Sequence, residues 1–256
     1  MSKANNRMTE PGGDTRPIFA DSTRRYCYLS RVQRYRRVEG GARFSVLTND
    51  DEEMVLDIRF VSPYVLRTRC YRKGEEQPVD GARGGAKAHV EAVAGKVIIT
   101  SDALELRVVR RPFHYGVFHP KGKKLFVQQI GDVSGERLVS MPLGYSRGSD
   151  GRIAFHESFE LQPDEHLFGP GPRTGALDRR GQRILVKSHD DGVPSVWSSR
   201  GYGLFVLHSA GTTWELGFPS TITASFRVED AYLDYFLVFG DSPKDIFARY
   251  AGLSSK

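Results

Sequence analysis

The sequence predicts an all-β fold, a large antiparallel β-sandwich ending in one short C-terminal helix. Three observations lead there. Apolar residues alternate with polar ones at period two in about a dozen short segments, the pattern of half-buried strands. Turn signals rich in Gly, Pro and Asp separate those segments every 8 to 15 residues or so, as in sandwiches built of hairpins. Helical periodicity is confined to the last few residues.

Residues 1–22 are polar and carry Gly and Pro, so a loosely attached tail is expected. The sandwich is expected over 23–240, and 241–256 form the helix and a linker. Ala42, Phe44 and Val46 alternate, as do Met54, Leu56, Ile58 and Phe60. After Pro63, YVLRTRCYR sets Leu66, Thr68 and Cys70 on one face and Arg67 and Arg69 on the other. Gly81 to His89 read as a flexible loop by composition. VIITS, ALELRVV, PFHYGVFH and LFVQQI follow, with Pro120 to Lys124 turning between the last two. RIAFHESFEL places Ile153, Phe155, Phe159 and Leu161 on one side. RILVK, GYGLFVLHS, TTWELGF, ASFRV and YLDYFLVFG complete the strands. In DSPKDIFARYAGL, Ser242 is an N-cap, Pro243 suits the first helical position and Asp245 completes a capping-box-like pair. Ile246, Phe247 and Tyr250 form the helix's apolar stripe, and Gly252 stops it.

Composition excludes several classes. Hydrophobic residues at 39% and charged residues at 27% describe a globular chain with a real core, not a disordered one. No apolar run approaches the roughly 18 residues of a membrane span, and the N-terminus has no apolar signal core, so a cytoplasmic protein without membrane contact is expected. Cys27 and Cys70 belong to no metal-ligand spacing and read as two buried, reduced thiols. The net charge of +6 permits contact with anions, and Arg24 to Arg37 interleave arginines with Tyr26, Tyr28 and Tyr35 as single-strand nucleic-acid platforms do. No nucleic-acid-binding signature accompanies them, so they read as outward arginines on a solvated strand, and no nucleic-acid partner is expected. His114 and His119 have no helpful partner for a metal, and neither a metal nor another cofactor is expected.

The stretch HLFGPGPRTGALDRRGQ, His166 to Gln182, resembles a phosphate cradle only superficially. Pro170 and Pro172 have no N–H to donate, and Thr174 stands where a dinucleotide fingerprint needs its third glycine. Nearby, KSHDDG joins His189, Asp190 and Asp191 in a loop. Paired acids there suit turn chemistry, and equally a carboxylate that accepts directional bonds from sugar hydroxyls.

Taken in order, three motifs carry a family resemblance. FELQPDEHLFGPGPRTGALDRRGQ, PSVWSSRGYGLFVLHS and YLDYFLVFGDSPKDIFARYAGL resemble successive segments of the glycoside hydrolases of family 31, the clan of α-glucosidases and α-xylosidases. The resemblance covers about residues 155–254, and more loosely MVLDIRFVSPYVLRTR and RRPFHYGVFHPKGKKLF. It implies a galactose mutarotase-like sandwich standing before a catalytic (β/α)8 barrel, with the chain ending near the linker into that barrel. Retaining glycosidases need two carboxyl groups about 5 to 5.5 Å apart, which in this family come from the barrel. The sandwich alone is therefore expected to have no catalytic residue. The resemblance also implies that the Gly/Pro loop and the KSHDD loop face the barrel mouth, close one side of a pocket for an α-glucoside or α-xyloside, and leave apolar surface for the barrel to cover. Its pattern there, close to Trp-Asn-x-Asp, falls on Lys187, Ser188, His189 and Asp190. Asp190, with His189 beside it, is thus the expected substrate-binding position. Lys187, Ser188 and Pro172 depart from the family pattern. An alternative keeps the chain as a free-standing mutarotase-like epimerase or carbohydrate-binding module. In that reading His208 and Glu215, or His189 and Asp190, would move a proton at a sugar's anomeric centre.

Overall fold

A computed structural model describes residues 18–75, 85–129, 132–134, 137–170, 176–187 and 193–253. Among them the strands are β1 (Arg24–Val38), β2 (Gly41–Thr48), β3 (Glu53–Ser62), β4 (Val65–Arg72), β5 (His89–Val93), β6 (Lys96–Thr100), β7 (Glu105–Arg110), β8 (Phe113–Phe118), β9 (Lys124–Val127) and β10 (Asp132–Ser134). Then come β11 (Arg137–Ser140), β12 (Gly144–Gly148), β13 (Ile153–Glu160), β14 (Leu167–Phe168), β15 (Gln182–Val186), β16 (Ser195–Ser198), β17 (Tyr202–Val206), β18 (Thr212–Leu216), β19 (Thr223–Val228) and β20 (Tyr232–Phe239). One helix, α1 (Pro243–Ala251), follows. The all-β sandwich with a single short C-terminal helix is the fold the alternation predicts.

Thirteen strands form one hydrogen-bonded order, β14-β16-β17-β20-β4-β3-β2-β1-β12-β13-β19-β18-β15. The long strand β1 is its corner. Arg24 to Tyr28 pair with β12, whereas Leu29 to Val38 pair with β2 across two register shifts. A strand that changes sheets through bulges lets one order fold on itself into two facing layers. Their inner faces meet directly: the Phe226 ring on β19 stands edge-on to Tyr235 on β20 at 5.9 Å, and Phe159 on β13 to Tyr202 on β17 at 6.2 Å. The five-stranded sheet β5-β6-β7-β8-β9 adds Tyr115 and Phe126 to the same core, with Phe126 5.3 Å from Phe159. Pro120 to Lys124 make the expected turn between β8 and β9, closed by the His119 N–H on the Lys123 carbonyl. Cys27 and Cys70 are free and buried, and burial pushes both thiols up.

Helix α1 covers part of the outer face of the β17/β20/β4 layer. Ser242 caps it, accepting from the Asp245 N–H at 3.2 Å, and Pro243 starts it. Ile246 is buried with Val65, Phe205, Phe236 and Val238, and Tyr250 stacks on Phe205 at 4.0 Å. Phe247, counted in the same stripe from sequence, reaches Phe205 only edge-on and stays 43% exposed.

Two features differ from simple alternation. Strand β4 is buried on both faces, because the Arg67 and Arg69 guanidinium groups lie against Asp234 on β20, at 2.7 Å and 3.3 Å. Ile18 and Phe19, inside the stretch read as tail, are buried with Met141 against Tyr26 and Tyr28. Residues 1–17, and 81–84 of the expected Gly81–His89 loop, lie outside the described residues.

Candidate functional site

The two loops singled out from sequence are placed by topology. Strands β14 and β15 are the two ends of the thirteen-strand order. The Gly/Pro loop joins β14 to β15, and the KSHDD loop joins β15 to β16, the neighbour of β14, so both connect one end of the order with the other. Residues 178–181 fasten the two ends together. The Arg179 N–H donates to the Leu167 carbonyl at 2.7 Å, and the Gly181 N–H to the Leu216 carbonyl at 2.6 Å.

Three charged side chains that sequence reasoning passed over shape this region. Arg180 donates to the carbonyls of Gln162, Glu165 and Thr221 at 2.6 to 2.7 Å. Glu165 is buried and accepts from Ser198 Oγ at 2.5 Å, Tyr202 OH at 2.6 Å and the Gln162 N–H at 2.9 Å. Asp178 accepts from the Leu167 and Arg180 N–H groups through one oxygen and contacts His166 Nδ1 at 2.7 Å through the other. Burial opposes the Asp178 charge, but His166 and those N–H groups outweigh it and hold the carboxyl below its usual range. For two of them the signal was present: Glu165 and Asp178 stand at motif positions of EHLFGPGPRTGALDRRG, where a loop rich in glycine needs side chains to define its path; Arg180 falls at a position the motif leaves open.

At the start of the loop Gly169 takes a φ of +67°, and a Cβ there would stand 2.5 Å from the Ser195 carbonyl oxygen, so only glycine fits. Beside it Phe168 on β14 stacks on Trp197 of β16, ring centroids 4.0 Å apart, both half-buried. Leu177, Leu185 and Val193, on and around the two loops, are 79%, 61% and 40% exposed. The loop centres are another matter. Pro172, Ser188, His189, Asp190 and Asp191 lie outside the described residues; Lys187 is described and exposed.

The other candidates from sequence resolve individually. His208 does not join Glu215 in a proton-transfer pair. Its Nε2 accepts the Asp234 N–H at 3.0 Å and its Nδ1 meets Asp230 at 3.0 Å, which fixes the neutral tautomer; burial, only partly offset by Asp230, lowers its proton affinity. Glu215 instead accepts from Arg183 Nε at 2.9 Å and from the Ile18 N–H at 3.0 Å. On β1, Arg25 and Arg31 pair with Asp50 and Asp51 in the turn between β2 and β3, and Arg34 with Glu53 at the start of β3, so these arginines form surface ion pairs. His114 and His119 belong to no group of three or more potential ligands; none exists among the described residues. No described helix is long and apolar enough to cross a membrane.

Comparison with known proteins converges on one family. The model of the glycosyl hydrolase 31 N-terminal galactose mutarotase-like domain matches residues 55–215. An alpha-xylosidase of Emericella nidulans is 33% identical over 106 residues, 38% of this chain and 14% of the relative. An isomaltosyltransferase of Sporosarcina globispora is 23% identical over 78% of this chain and 19% of its own length. The chain thus spans less than a fifth of either relative. Among solved structures, the cycloalternan-forming enzyme of Listeria monocytogenes, in complex with a pentasaccharide substrate, superposes with a TM-score of 0.77 at 19% identity, over 90% of this chain and 22% of that one. A family 31 alpha-xylosidase from a soil metagenome, complexed with xylose, gives 0.68 at 20% identity, over 86% and 34%. With its thirteen-strand sandwich and its match over 55–215, this chain belongs to the N-terminal galactose mutarotase-like domains of glycoside hydrolase family 31.

Proposed function

We propose that this domain serves an enzyme acting on α-glycosidic bonds by packing on its catalytic (β/α)8 barrel and lining one side of the sugar pocket, and that it performs no catalysis itself. The observation that carries the reading is topological. Both loops connect the two ends of the strand order, and Asp178, Glu165 and Arg180 hold the described flanking backbone in place. Leu177, Leu185 and Val193, on and beside the two loops, are exposed apolar side chains that a packing partner would cover. Within the loop, Asp190 is the sugar-binding position, with His189 beside it; an ionised carboxylate accepts several strong bonds from hydroxyls. Substrates are α-glucosides or α-xylosides, in keeping with the alpha-xylosidase and the alpha-glucosidase among the relatives. The reading as a free-standing epimerase loses its His208 and Glu215 pair, since both side chains are committed to structural bonds.

The test is kinetic. The purified chain should release no aryl alcohol from aryl α-glucosides or α-xylosides, while the same chain joined to its barrel should. Turnover by the chain alone that survives repurification would overturn the reading.

A further inference from the structure

The outer face of the β12/β13/β19/β18 layer carries a buried group that the sugar-pocket reading leaves unused. His156 on β13 is fully buried, and neither ring nitrogen has a hydrogen-bond partner. A neutral imidazole brings one donor and one acceptor, and leaving both unmet in an apolar site is costly. Its cover is the segment at Ile18 and Phe19. The Phe19 ring stands edge-on to the imidazole at 5.3 Å, and the Tyr26 ring at 5.9 Å. Three bonds clamp that segment through one residue. The Ile18 N–H donates to Glu215 at 3.0 Å, and the Ile18 carbonyl accepts from Tyr26 OH at 2.8 Å and from Arg227 at 3.4 Å.

The charges around His156 are unequal. Arg227 faces it from β19 as its register partner, and Arg24 from β1. The acids nearby serve those arginines and the strap: Glu229 pairs with Arg227 at 2.8 Å and lies 3.9 Å from Arg24, Asp21 accepts from Thr23, and Glu215 holds Ile18 and Arg183. A proton on the imidazole would thus add a third cation to a dry site. Burial first, then Arg227 and Arg24, push its proton affinity down to about 3 while the cover is in place. With the cover lifted, water reaches the ring and its ordinary affinity, near about 6.5, is approached.

We propose that Ile18–Phe19 is an acid-released strap, clamped on the sheet while His156 is neutral and lifted when that imidazole takes a proton between Arg24 and Arg227. The sign follows from linkage. A group whose affinity for protons is lower in the closed state favours closure above its open-state pKa, and that preference is lost as pH falls. Release would uncover Tyr26 and Tyr28 on the corner strand β1, with Met141 next to them.

Hydrogen exchange of the Ile18 and Phe19 amides, corrected for intrinsic chemistry, measures the opening. In the intact chain the open fraction should rise roughly tenfold to thirtyfold between about pH 7.5 and about pH 5, while amides of β20 do not follow. In His156→Leu, and in His156→Phe should the former fail to fold, the pH dependence should vanish. Glu215→Gln should keep it, which separates His156 from the other titrating group at the strap. A wild-type strap indifferent to pH, or a slope unchanged without His156, would overturn the proposal. If neither variant folds, an NMR titration of His156 in the wild type decides: its midpoint must coincide with strap opening, and a mismatch rejects the mechanism.

Discussion

Glu157 lies at the centre of the sandwich, fully inside and ringed by hydroxyl and amide donors. Tyr115 OH donates to its Oε1 at 2.6 Å and Gln128 Nε2 at 3.0 Å, and Tyr115 also bonds Tyr235. Burial raises the carboxyl more than these donors lower it, to about 7. The native state therefore holds this proton more tightly than the unfolded chain. That stabilisation is complete below the ordinary carboxylate range, near about pH 4.5, and is lost as pH rises to about 7. Glu157→Gln keeps the shape and removes the charge. Relative to wild type, its stability by chemical denaturation should improve by about 3 kcal/mol between about pH 4.5 and about pH 8. A constant difference between the two proteins across that range would show that Glu157 carries no buried proton. The residue's position was legible: Phe155, Glu157 and Phe159 share parity, so an apolar face at 155 and 159 puts 157 inside as well. Its partners were not, because Tyr115, Gln128 and Tyr235 reach it from strands 42, 29 and 78 residues away in sequence. His156, on the opposite parity, reads as solvent-facing; its burial depends on a strap contributed from residue 18, which periodicity cannot foresee.

At the scale of elements, alternation identified most strands but understated how much of the sheet is covered. RRYCYLSRVQRYRR alternates too weakly to be read as a structural corner, yet β1 joins the two layers by changing partners at Leu29. What decides its role is the bulges, and those depend on pairing and not on local propensity. Strand β4 illustrates the second shortfall. Arg67 and Arg69 read as a polar face, and are buried because Asp234 of β20, opposite Arg69 in register, takes both guanidinium groups. Removing one partner of a buried pair leaves charge without compensation. Asp234→Ala should therefore lower stability by about 3 to 5 kcal/mol in urea denaturation; a loss below about 1 kcal/mol, the scale of a surface ion pair, would mean that the guanidinium groups are solvated or re-paired. The helix was the most legible element, because cap, proline and stop signal are all local. Only Phe247 strays from its expected stripe, since the sheet face beneath α1 accommodates Ile246 and Tyr250 first.

The molecule as a whole brings together what the sequence separates. The Gly/Pro motif was recognisable as a loop that could not cradle phosphate, but that it joins the two ends of the strand order, β14 and β15, shows only in the pairing. Gly169 and Gly181, both at positive φ, let the chain turn at the described ends of the loop, and Asp178, Glu165 and Arg180 hold the flanking backbone through partners that a local window does not reveal. Family membership was legible because three motifs occur in order, and the matched span confirms it. The assignment of Asp190 rests on that motif order and on the strands its loop joins, and kinetics reach it most directly. In a full-length enzyme carrying this domain, Asp190→Ala should lower kcat/KM by about tenfold to more than a hundredfold, as charge-assisted bonds to a ligand contribute roughly 1.5 to 3 kcal/mol each. Asp191→Ala should change it little, and neither variant should move the thermal midpoint appreciably. Wild-type kinetics in both variants would contradict the claim that this part of the sandwich lines the sugar pocket.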